Sequence, residues 1–147
     1  MTFLLAFVVA AMASAGPLNA PPDSAVERDL ADFEARLAQD PASLRIAAEY
    51  RQRVIVLGRY DRSIKLFQRL AKDPRGGANR YLNLALASVD KVPVSGSVRR
   101  ALLGRDALDA LTKAIAIEPT GLAYLVRGLV NLYFDQFMSR RLYYTGP

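Results

Sequence analysis

The 147-residue sequence has no cysteine and no histidine. Without cysteine there is no disulfide, no thiolate nucleophile and no sulfur ligand for a metal. Without histidine the chain loses the commonest general base, the usual zinc ligand and any Ser-His-Asp triad. No glycine-rich phosphate loop is present. What remains for catalysis or metal binding is a site of Asp and Glu alone, brought together by folding rather than by spacing. Acidic residues are themselves the minority, 14 Asp+Glu against 20 Lys+Arg, for a net charge of +6. Sixteen of the cations are arginine. Such an excess favours acidic partners or anionic surfaces and says nothing about fold; a GC-rich genome produces the same arginine bias. The expectation is a non-enzymatic protein with no cofactor, no metal and no nucleic-acid partner, with a carboxylate-based enzyme as the minor alternative.

Apolar runs of the ~20 residues that span a bilayer are also missing. The longest run, Phe3 to Met12, is followed by Ala13-Ser14-Ala15, Gly16 and Pro17. This has the length of a signal-peptide core with a small-x-small cleavage site, although no Lys or Arg precedes it. Residues 1–15 are therefore expected to be a signal peptide and 16–23 a disordered lead-in, with export to the periplasm or cell exterior. An uncleaved N-terminal anchor, the segment's one route to membrane contact, is the alternative and would make the protein a membrane-attached assembly component. The absence of cysteine excludes a lipid-anchored lipoprotein.

From Ser24 onward the apolar residues recur at three and four, the period of an α-helix. The pattern predicts an all-α domain of about six helices over residues 24–138, with a tail at 139–147. The first helix carries Leu30, Phe33 and Leu37 and ends near Gln39. Asp40 and Pro41 are expected to cap and open a second helix, which runs to Leu57. A third carries Ser63, Ile64, Phe67 and Leu70 and stops at Asp73-Pro74. The fourth runs from Asn79 to about Asp90. A loop with Pro93 and Gly96 leads to a fifth helix capped by Ser97 and ending at Ile117. The sixth runs from Leu122 to Phe137.

Ala107, Leu111, Ala114 and Pro119 place a large apolar residue between two small ones and a stopping proline at the end. Helices that cross closely need small residues at the crossing and a large knob beside it. This pattern resembles the second helix of a tetratricopeptide (TPR) repeat. Gly58-Arg59-Tyr60-Asp61 resembles the turn inside such a repeat, and Phe67 and Pro74 fall at matching positions of a degenerate second helix. Pro41 and Pro74 lie 33 residues apart, close to the repeat length of ~34; Pro74 and Pro119 lie 45 apart, which places an insertion at Lys91 to Leu103. Leu84-Ala85-Leu86-Ala87, Val89 to Pro93 and Arg127-Gly128-Leu129 look like a group of exported bacterial TPR proteins. Those chains continue further, so this one is open to being a fragment.

The resemblance implies antiparallel helix pairs in a short right-handed superhelix, and a protein- or peptide-binding scaffold whose groove is lined by the second, fourth and sixth helices. Its polar positions are Arg45, Glu49, Gln52, Asn79, Asn83 and Arg127. Asn83 and Arg127 stand near places that clamp a peptide carboxylate in some TPR domains, but Ala48 replaces the usual lysine. A plain solvated helix face is the alternative for these six, and a buried pair or snorkelling side chain for Arg127. Arg99, Arg100 and Arg105 form a basic cluster suited to phosphate or anionic lipid, or to solvent alone. The sixth helix is apolar all round, from Leu122 to Phe137, which suits a helix buried on several sides. With only the fourth and fifth helices to pack on, part of it is expected to stay exposed, and either the native protein continues and supplies the missing helix or the patch is buried by self-association or against a partner.

Overall fold

The computed structural model describes residues 23–143, with side chains described through Phe134. The expected signal segment, the lead-in up to residue 22, the last residues of the tail and the side chain of Phe137 lie outside that range, while Asp23, expected in the lead-in, is the first residue of the first helix. Among the described residues the chain is all-helical, with six α-helices and no strand: α1 Asp23–Gln39, α2 Leu44–Val56, α3 Tyr60–Leu70, α4 Asn79–Lys91, α5 Ser97–Ile117 and α6 Gly121–Tyr143. Short 3-10 turns, Pro74–Gly76 and Val92–Val94, precede α4 and α5.

Several boundaries differ from the sequence reading, each for a local reason. Pro41 does not open α2. It sits in a turn closed by Ser43 N–H to the Asp40 carbonyl, and Ser43 caps the helix by accepting from Ile46 N–H at 3.3 Å. A serine hydroxyl in extended backbone is the stronger cap at that position. Asp73 caps not an α-helix but the 3-10 turn, accepting from Arg75 N–H with Pro74 at its first position. Ser97 is the first residue of α5 rather than its cap, which is Gly96. The sixth helix continues past Phe137 to Tyr143.

Other punctuation falls where the residues require it. α2 ends with Gly58 at φ +66°, a conformation that glycine adopts without penalty. Gly58 N–H donates to Ile55 and Arg59 N–H to Val54, the paired bonds of a Schellman motif. α5 stops at Ile117 because Glu118 is extended, the conformation favoured before Pro119. Thr120 then caps α6 by accepting from Ala123 N–H.

The core divides into two clusters. In the first, Phe33, Tyr50 and Phe67 bring one ring each from α1, α2 and α3, with centroids 6.4 and 6.1 Å apart. Leu30, Leu37, Val54 and Ile64 surround them. Burial and a bond donated to Glu34 push the Tyr50 hydroxyl well above the usual tyrosine range. Arg62 also donates to Glu34, at 2.6 Å, and to Glu27, which Arg59 reaches as well. The second cluster joins Leu82 and Ala85 of α4 to Ala107, Ala110 and Leu111 of α5 and Val130 of α6. Ala107, Leu111 and Ala114 are fully buried, as a close crossing demands.

Between the clusters, the start of α4 is tied to the turn before α2 and its end to α2 itself. Asn79 Nδ2 donates to the Ala42 carbonyl at 3.0 Å, and Arg51 Nε donates to Asp90 Oδ2 at 2.8 Å.

Candidate functional site

A groove of about 560 Å³ opens between the end of α4, the Val92–Val94 turn, the start of α5 and the middle of α6. Leu86 and Val89 form its α4 wall, Val92 and Pro93 one end, and Val126, Leu129, Val130, Tyr133 and Phe134 its α6 wall. Its volume and apolar lining are those of a ligand or peptide cleft. Gly104 sets its depth. A Cβ on Gly104 would lie 1.6 Å from Phe134 Cζ, so the missing side chain is what lets that ring settle against α5.

Arg100 is the one charged residue in the lining. Its Nε donates to the Ser95 carbonyl at 2.6 Å and its Nη2 to the Pro93 carbonyl at 3.3 Å. Guanidinium carries five N–H donors in all, and among the described residues no carboxylate forms an ion pair with this one. The rest of the basic cluster disperses: Arg99 stands 4.0 Å from Asp61, and Arg105 3.5 Å from its neighbour Asp106.

The polar residues marked in the sequence do not gather at this groove. Arg45 is exposed and pairs with Glu49 one turn on. Glu49 and Gln52 line a separate hollow of about 390 Å³ with Phe33, Arg53 and Val56. Asn79 is committed to Ala42. Asn83 is 1% exposed, and neither amide atom has a protein partner. Arg127 is half-buried and shares the inner face of α6 with Ala123 and Val130. These positions act mainly within and between helices. The groove's own residues carried no motif. Val92, Pro93 and Arg100, which fall within the longer of the two proline intervals, build one end of the cleft.

Elsewhere, most carboxylates are matched by cations: Asp29 by Arg53, Asp61 by Lys91, Asp73 by Arg75. Among the described residues no group of three or more Asp or Glu could hold a metal ion, and no helix is long and apolar enough to cross a membrane. Comparison with protein-family models, with curated proteins and with solved structures finds no match.

Proposed function

We propose that this chain is a non-catalytic, TPR-like scaffold that binds an apolar peptide segment of a partner protein in the groove between α4 and α6. The carrying observation is the groove itself, nine apolar or aromatic residues around one arginine with no acidic partner among the described residues. The repeat reading is supported by the fully buried Ala107, Leu111 and Ala114, by Gly58 at positive φ, and by α4 packing on α3, α5 and α2 together. In that reading α2, α4 and α6 are the groove-lining helices of successive repeats, wound in a right-handed superhelix. The preferred segment is apolar with one acidic residue facing Arg100, since a carboxylate on the remaining guanidinium donors is a strong, oriented contact. Export is part of the proposal. It rests on Phe3–Met12 and Ala13-Ser14-Ala15, and a mature N-terminus at Gly16 is its check.

Selection of random peptides on the full chain tests the groove. Wild type should enrich apolar peptides containing Asp or Glu. Val89→Glu should lose them while unfolding at a similar temperature, and Arg100→Gln should keep the apolar preference but drop the acidic one. No enrichment, or retention undiminished in both variants, removes the groove as the binding site.

A further inference from the structure

The outer face of α6 holds a second feature, which shares Leu129 and Tyr133 with the groove wall. Leu122, Leu125, Leu129 and Leu132 are all exposed, Leu125 by 60%. Their 3-4-3 spacing puts them on one stripe, the a and d positions of a two-helix seam. The spacing is also symmetric about residue 127, so reversing the helix maps Leu122 onto Leu132 and Leu125 onto Leu129. The same reversal maps Tyr133, which is exposed, onto Gly121, where an added Cβ would meet no other part of the fold within 4 Å. Between Gly121 and Phe134 the one charged residue is Arg127, on the inner face. A chain of net charge +6 therefore presents a charge-free strip here.

From this we infer that α6 pairs with α6 of a second copy, antiparallel, about a two-fold axis level with residue 127. A two-fold interface needs a self-complementary surface, in which residue i meets j and j meets i. The stripe has that property in its leucines and in the tyrosine–glycine pair. A parallel pairing would set Tyr133 against Tyr133 and leave Gly121 facing Gly121. The four leucines span about 15 Å of helix, a shorter contact than the ~800 Å² per partner of a standard interface. Self-association is accordingly weak, with a dissociation constant on the order of 10 μM.

Sedimentation of the full chain over about 1–200 μM, bracketing that constant, tests this with three variants. Leu122→Glu and Leu132→Lys each set a lone charge against leucine in both symmetric layers and should weaken the dimer by about tenfold or more. Combining the two substitutions sets the introduced carboxylate of each copy opposite the introduced ammonium of the other, and should recover much of the loss. Within one chain the two positions are about 15 Å apart, so they cannot rescue each other internally. Both residues are exposed, so circular dichroism and thermal unfolding should match wild type. Wild type that stays monomeric overturns the inference. So does a dimer indifferent to the single variants, which would place the contact in Phe3–Met12 or elsewhere, and a double variant no better than the singles, which would mean another register. Neither residue lines the groove, so Val89→Glu should leave the dimer intact and the two proposals fail separately.

Discussion

The first three helices and the last three are held together by different chemistry. In α1–α3 the helices are cross-linked by charge, with Glu27 and Glu34 of α1 meeting Arg59 and Arg62 around a row of three tilted and edge-to-face rings. In α4–α6 no ion pair joins one helix to the next among the described residues. Contact comes instead from small residues, Ala85, Ala107, Ala110, Ala114 and Gly104, which let the backbones approach. Ion pairs at a helix seam fill its edges with long side chains. Small-residue contacts leave the edges to whatever flanks them, here Leu, Val and Tyr. Among the described residues, ten of the twelve exposed large apolar side chains accordingly lie beyond α4. The first half buries its apolar residues together with Ala87, Val92 and Leu103 of the second, and the second keeps apolar surface for something else.

What the sequence disclosed follows the same division. Helix number and two of the helix ends were readable because they are local: periodicity, Gly58, Pro119 and the Leu30–Leu37 face each act within a turn or two, whereas the starts of α2 and α5 and the end of α6 were misplaced. The burial of Ala107, Leu111 and Ala114 was readable from residue size. The incomplete burial of α6 followed from its all-round apolar pattern. The groove was not readable, since its walls come from residues forty positions apart. The role of the polar residues was not legible, because an Asn on a helix face reads alike whether it meets a ligand or, like Asn79, a neighbouring carbonyl.

The sharpest test of the contrast is truncation of matched apolar residues on the two sides. Phe67→Ala removes the ring at the end of the three-ring row and should cost about 3–5 kcal/mol in urea unfolding. Leu125→Ala removes a leucine of the open half and should change the stability of dilute monomer by less than about 0.5 kcal/mol. A large loss at Leu125 would mean that α6 is closed in solution.

A smaller effect probes the small-residue contacts. Ala107→Leu adds three carbons at a fully buried crossing and should destabilise by about 1–3 kcal/mol. If thermal unfolding is unmoved, α4, α5 and α6 have room to separate and the second half is looser than its alanines imply.

The smallest effect lies at the joint between the halves, where α4 offers Asp90 to Arg51 of α2 and Lys91 to Asp61 of α3. The two aspartates should titrate on opposite sides of the ordinary value of 3.8. Burial lifts Asp90 above it, and the Arg51 charge offsets this only in part. The hydrogen bond from Lys91 holds Asp61 below it. Folded protein therefore binds the Asp90 proton more tightly than unfolded chain does. That contribution to stability is complete below 3.8 and is lost as pH rises through the native Asp90 value. Asp61 behaves in reverse, contributing above 3.8 and losing that contribution as pH falls through its lowered native value. Urea unfolding at a series of pH values, with carboxyl carbon NMR titration, separates them. Relative to Asp90→Asn, wild type should gain stability as pH drops from neutral towards about 4. Relative to Asp61→Asn it should lose stability at lower pH still. An Asp90 that titrates below 3.8 would show the Arg51 pair outweighing burial. The joint would then belong with the charge-linked first half, and the boundary between the two chemistries would move from α3–α4 into α4 itself.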